Sequence, residues 1–335
     1  MSGTIRTLLH VGFCHSGTTS LQQNFFASRR DIFYCGSTGD HGGILSLIKY
    51  EEDWPSVERK VRVLCDTHIW CAIGPTQRLV VSDETLVEQP EVYYTPQKMP
   101  VGLIAQRLKR LFPRAVILFT LRNQFDYVVS CYLNLKRNYA YLADRCIEDF
   151  DAWFAGNHSQ IANQYLRNLD YSRPISAFVE AFGRKAVAVL PLEARGQLGD
   201  EAYLGRIGDL LGIEISEADA DNFRPIRNRR VSSIEDAMLT RWHDPVVRRL
   251  HHSLGAPPGT EHARPWVNGG EPARVPLNQS QIATIYRRCA DGNRYLQSQF
   301  GVDLAALGYP MEPAGSVGTR VRSAFARLKA GARGR

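Results

Sequence analysis

Ala115–Leu121 reads AVILFTL, an unbroken apolar run set between Pro113-Arg114 and Arg122-Asn123. A strand with one wet face alternates apolar and polar residues, whereas a strand covered on both faces reads as continuous hydrophobic sequence. The run therefore predicts a central strand of a parallel sheet. Parallel strands need crossover connections, usually helices. The sequence on either side supplies them: a helix over Val101–Phe112, ended by Pro113, and another from Gln124 to Arg137.

Working outward, Thr4–Phe13 reads as a buried strand, Asp31–Gly36 as a short second one, Arg78–Ser82 as a third and Lys185–Leu192 as a fifth. Between them a helix is expected over Thr18–Ala27, with Leu21 and Phe25 facing inward. Gly43–Cys71 should be helical, with a break at Pro55. Asp149–Arg184 reads as mainly helical, and further helices are expected around Tyr203–Leu211, Ser233–Leu250 and Gln281–Phe300. Strands alternating with helices predict an α/β fold: a central parallel sheet of about five strands, helices on both faces, and helical additions after the fourth and fifth strands. We expect one such domain over residues 1–312 and a basic tail over 313–335. The Gly- and Pro-rich stretch Ser253–Pro276 reads as an excursion or lid.

Composition removes other classes. Of 335 residues, 44% are hydrophobic and 22% charged, as in ordinary globular proteins. No apolar run reaches the roughly 20 residues that span a bilayer. Leu8–Phe13 is broken by His10 and Gly12, too short and polar for a secretion signal, so a cytoplasmic protein is expected. Seven scattered cysteines form no CxxC pair and predict reduced, mostly buried thiols. Six of the seven net positive charges lie in Ala314–Arg335, so the basicity belongs to the tail and no nucleic-acid partner is expected. Val321, Phe325 and Leu328 recur there at helical spacing. The tail is either a solvated end or a helix in peripheral contact with the inner membrane surface. His243, His251 and His252 lack a matching acid–Cys set, so no metal site is expected.

Ligands of parallel sheets bind outside the carboxyl ends of the strands. After the first strand comes Cys14-His15-Ser16-Gly17-Thr18-Thr19, after the third Asp83-Glu84-Thr85, and after the fourth Arg122-Asn123. The first of these suits an anion: Gly12 and Gly17 permit a tight turn, and the following helix presents amides toward it. It is no Walker A loop, because Thr18 stands where GxxxxGK[ST] requires Lys. Asp83-Glu84 reads either as a functional acid pair or as a helix cap with a first-turn acid.

Gly12–Thr19, GFCHSGTT, resembles the 5′-phosphosulfate loop of sulfotransferases that use 3′-phosphoadenosine 5′-phosphosulfate (PAPS), whose usual form is Gx[PH][KR]SGTT. Arg122 followed eight residues later by Ser130 resembles the same family's 3′-phosphate element. VVSDETL and Asn228–Ser233 (NRRVSS) resemble the bacterial branch that acts on carbohydrates. The resemblance implies a P-loop-like fold. It also implies transfer of a sulfuryl group from PAPS to a saccharide or glycolipid hydroxyl, with release of 3′-phosphoadenosine 5′-phosphate (PAP).

By the same likeness, His15, Ser16, Gly17, Thr18, Thr19 and Ser20 would hold the 5′ end, and Arg122 and Ser130 the 3′-phosphate. A basic loop with Arg229 and Arg230 would close over the latter, and Glu84 would be the base, with Asp83 and His41 as alternatives. His15 departs from the family's Lys or Arg and would act when protonated, a form that a phosphosulfate nearby favours. Two other classes stay open: a P-loop kinase or NTPase, and a degenerate nucleotide-binding module. Trp70, Trp153, Trp242, Tyr132, Tyr139 and Tyr141 read as core or as acceptor-site walls.

Overall fold

A computed structural model of the chain describes residues 6–36, 43–87, 99–143, 146–147, 149–156, 166, 168–224, 231–254 and 271–312. In chain order the elements are β1 (Thr7–His10), α1 (Thr18–Ser20, continuing as a π-helical stretch Leu21–Phe26), β2 (Ile32–Gly36), α2 (Ile44–Tyr50), α3 (Trp54–Cys65), β3 (Arg78–Ser82), α4 (Val101–Leu111) and β4 (Val116–Leu121). Then come α5 (Gln124–Ala143), α6 (Phe150–Ala155), α7 (Ser172–Phe182), β5 (Val187–Pro191), α8 (Ala194–Leu198), α9 (Asp200–Leu211) and α10 (Glu217–Phe223). The described chain closes with α11 (Ser233–Thr240), α12 (Pro245–Leu254) and α13 (Gln279–Phe300).

The chain divides into two compact units, Met1–Arg122 with Arg173–Asn228, and Asn123–Ser172 with Arg229–Arg335. The first holds the sheet. Its five strands run in the order β2-β3-β1-β4-β5, all parallel. Winding starts at β1, proceeds to β2 and β3 on one side, then crosses to β4 and β5 on the other. The carboxyl end of β1 therefore lies at the switch point, where open α/β sheets bind ligands.

Leu118 and Phe119 are neighbours on β4 and must point to opposite faces. Leu118 joins Leu8 and Val80 in a buried cluster with Leu21, Phe25 and Phe26 and with Tyr203, Leu204 and Ile207 of α9. Phe119 meets Phe178 of α7 edge to face at 5.3 Å. Helices thus cover both faces, which is why β4 has no polar alternation.

Some boundaries differ from those expected. Pro55 sits in the first turn of α3, capped by Asp53, so the break falls before it rather than at it. The single helix expected over Ser233–Leu250 is two, α11 and α12. Asp244 accepts from Val246 N at 2.8 Å, so Asp244-Pro245 is a cap followed by a proline that starts the second helix.

In the second unit, α5 runs past Arg137 to Ala143 because its charges are held. Lys136 bonds Asp236 and Thr240 at 2.6 Å each, and Arg137 pairs bidentately with Glu235 at 2.8 and 2.7 Å. Tyr132, Phe150, Trp153 and Phe154 form an aromatic cluster of that unit's core, and Trp242 is buried. Trp70 is among the exposed hydrophobic residues. All seven cysteines are free thiols, with Cys35, Cys65, Cys131 and Cys289 buried. No described helix is long and apolar enough to cross a membrane.

Candidate functional site

The residues from Val11 to Phe13 extend β1's pairing to β4: Val11 N bonds Leu118 O at 3.0 Å and Phe13 N bonds Thr120 O at 3.2 Å. Gly12 lies between them, and the reason for it is proximity rather than a turn. A Cβ there would sit 2.1 Å from Thr120 Oγ1 and 2.9 Å from His10 Nε2, closer than atoms can approach. This corrects the reading of Gly12 as a turn residue. The turn itself is left-handed at Gly17 (φ +83°) and, unexpectedly, at His15 (φ +62°). A non-glycine residue in that region costs about 1–3 kcal/mol, and such strain collects at functional sites. Left-handed residues flanking one of ordinary hand turn successive N–H groups toward one side, which makes an anion-binding concavity.

Gly17 is also the N-cap of α1 and brings no side chain to the first-turn amides of Thr18, Thr19 and Ser20. Thr19 and Ser20 are partly exposed and Thr18 is buried. Gly17 has a second constraint, since a Cβ would come within 2.9 Å of Leu192. Ser16 is fully buried, and its N–H and hydroxyl both reach the Phe13 carbonyl. Its side chain therefore serves the turn from inside.

Arg122 follows β4 and donates from Nη1 to the His15 carbonyl at 3.0 Å. Two sequence elements 107 residues apart are thus joined on one rim. The guanidinium has an electrostatic consequence. Burial, and next to it the Arg122 charge, push the His15 pKa down to about 4. In the ligand-free protein this favours the neutral imidazole.

Beyond β3, Asp83 and Glu84 part in role. Asp83 is buried, caps the turn Glu84–Leu86 through Thr85 N at 2.8 Å, and pairs with the buried Lys49 ammonium at 2.8 Å. Lys49 also reaches Thr85 Oγ1 at 2.8 Å. Glu84 is held by Gln22 Nε2 at 2.9 Å, and burial pushes its carboxyl above the usual range, with Asp83 adding to the shift. A carboxylate with a raised pKa, held at one oxygen by a neutral donor, is suited to accept a proton near neutral pH.

Ser130 lies in α5 of the second unit and is partly exposed. His41, Arg229, Arg230, Tyr141's side chain, residues 255–270 of the expected lid and the tail over 313–335 lie outside the described residues. Sequence reasoning missed Gln22 and Lys49, both buried polar residues inside apolar helical patterns. Their one signal was polarity at an inward helical position.

No protein-family model matches the chain, and no curated protein does. Among solved structures, the chain is similar to a sulfotransferase from Alicyclobacillus acidocaldarius. The identity is 16% and the TM-score 0.45, over 75% of this chain and 96% of that one. It is also similar to the sulfotransferase domain from the curacin biosynthetic pathway, with 10% identity and a TM-score of 0.40, over 67% and 80% respectively.

Proposed function

We propose that the chain is a PAPS-dependent sulfotransferase acting on a hydroxyl of a saccharide or glycolipid. The observation that carries this reading is the bond between Arg122 and the left-handed His15–Gly17 turn. It unites the two sequence elements that resemble the donor site of that family.

In this reading the amides and hydroxyls of Thr18, Thr19 and Ser20 hold the 5′-phosphosulfate, with Gly17 letting the backbone approach. Arg122 takes the 3′-phosphate, and Ser130, Arg229 and Arg230 are assigned to it by the sequence resemblance alone. The acceptor oxygen attacks sulfur in line, the bond from sulfur to the bridging oxygen breaks, and PAP leaves. Glu84 receives the hydroxyl proton. His15 acquires its own proton only when the dianionic phosphosulfate of the donor arrives and offsets burial and Arg122, so the cation appears together with the charge it must neutralise.

A thermal-shift panel with PAP, ATP–Mg²⁺ and AMP tests the class, because a ligand's stabilisation grows with the logarithm of its concentration over Kd. Greater stabilisation by PAP is expected. Preference for ATP–Mg²⁺ would transfer the reading to a kinase or NTPase. The lowered pKa of His15 also favours a second reading, a nucleotide-binding module without turnover. It predicts PAP binding with no transfer of labelled sulfate to any saccharide or glycolipid offered.

A further inference from the structure

A continuous chain of buried hydrogen bonds joins the turn after β1 to Glu84, entirely within the sheet-bearing unit. Ser16 Oγ lies 2.8 Å from Thr120 Oγ1, and Thr120 Oγ1 lies 3.1 Å from His10 Nε2. His10 Nδ1 lies 2.7 Å from Ser82 Oγ, Gln22 Nε2 3.1 Å from Ser82 Oγ, and Gln22 Nε2 2.9 Å from Glu84 Oε2. His10, Ser16, Gln22, Ser82 and Thr120 are all at most 4% exposed.

The direction of every bond follows from the two ends. Ser16 has one hydroxyl proton, and the Phe13 carbonyl can only accept it. Thr120 must therefore donate to Ser16, and so accepts from His10. At the other end the Gln22 amide donates to the Glu84 carboxylate and to Ser82, which leaves the Ser82 proton for His10. His10 then has one possible form, neutral, with its proton on Nε2 and a lone pair on Nδ1. Burial, which pushes its pKa to about 3, holds it neutral. The amide of Gln22 does not pass protons along, so the chain transmits geometry and not charge.

We propose that His10 is a positioning residue that couples the Gly12–Thr19 turn to Glu84, so that occupation of the turn by an anion is felt at the carboxylate. The proposal rests on the reading of the turn as an anion site. Its register supports it: His10 ends β1 opposite Ser82 of β3. A side chain there touches both neighbouring strands at their carboxyl ends, where turn and acid emerge. Glu84 accepts from the neutral Gln22; its charged neighbours are Asp83 and Lys49, and neither belongs to the chain of bonds.

The test crosses the two ends, using the full-length protein labelled with ¹⁵N-histidine and ¹³C-glutamate. His10 should show a neutral ring protonated on Nε2 from pH 5 to 8. Thr120→Val, which alters only the turn side, should move the midpoint of Glu84's titration by on the order of half a unit, because a freed His10 loosens Ser82 and with it the Gln22 donor that holds the carboxylate. Ser82→Ala, which alters only the Glu84 side, should weaken PAP binding about threefold or more. Ile207→Val should lower the melting temperature and move neither reading. A His10 ring protonated on Nδ1, or variants that each perturb only their own end, would overturn the coupling. Failure of the wild-type protein to bind PAP would remove the proposed function instead, and the tautomer and the Glu84 titration, which need no ligand, would still decide on His10.

Discussion

His15 and His10 are five residues apart and neutral for related reasons, yet they face different fates. His10 is sealed among strands; His15 stands beside the position an anion would occupy. A histidine whose pKa is held down in the folded protein takes up its proton more readily when unfolded. Its contribution to stability is complete above about pH 6.5 and is lost as pH falls toward the folded values near 3 and 4. Stability should therefore fall between pH 6.5 and 4 by about 1.4 kcal/mol per pH unit for each such group. Urea unfolding of His10→Gln across that range should show a shallower slope, by about one proton.

Anion binding reverses the sign for His15 alone. A ligand that raises its pKa is bound with proton uptake, so PAP affinity should weaken as pH rises from 4 and level off above the pKa of the complex. His15→Lys should flatten that dependence while keeping affinity, as calorimetry in two buffers would register. Arg122 carries a separate load, because its guanidinium holds the His15 carbonyl in a strained turn. Arg122→Ala should weaken PAP binding by roughly 10- to 100-fold, the value of a charge-assisted hydrogen bond. Equal loss for adenosine 5′-phosphosulfate would mean that the turn, not the 3′-phosphate, is what Arg122 serves.

At the scale of elements, the three-residue turn after β3 separates two adjacent acids that look equivalent in sequence. Glu84→Gln should lower kcat and kcat/KM together by on the order of 10²-fold, leaving donor affinity and stability near wild type. Asp83→Asn should instead act on folding. It leaves the Lys49 ammonium facing an amide in a buried site, which costs about 3 kcal/mol rather than the 1 kcal/mol of a lost cap. Denaturant titration of the pair separates the roles, and an inactive but fully stable Asp83→Asn would reverse them. In the second unit, α5 and α11 are fastened by Lys136–Asp236 and Arg137–Glu235, with Glu235 only 4% exposed. These pairs carried no local signal, since the partners lie about a hundred positions apart and each looks like a surface charge on its own helix.

For the whole molecule, the thiol pattern gives a check on burial that is independent of any activity. In native protein Cys71 and Cys146 are exposed, Cys14 is intermediate and four cysteines are buried. Ellman's reagent should titrate two thiols rapidly and a third more slowly, with the remaining four appearing only on unfolding. Reductant should not change the melting temperature. Rapid reaction of more than three thiols would contradict the packing of the sheet and of α13.

The apolar run on β4 determined by itself that the sheet is parallel and covered, because only burial on both faces permits such a strand. The strand–turn–helix order likewise placed GFCHSGTT and Arg122 at strand ends, since parallel strands all deliver their following residues to one rim. The Asp244-Pro245 cap was written in local sequence too, though the helical pattern on either side of it read as one helix. Tertiary structure decided what local sequence could not. That Gly12 answers to Thr120, that Ser16 turns inward, that Asp83 belongs to Lys49 and that His15 is neutral all depend on groups dozens of positions distant. Hydrogen-bond direction and desolvation are set by what surrounds an atom in space, and only the folded sheet brings β1, β3 and β4 close enough to set them.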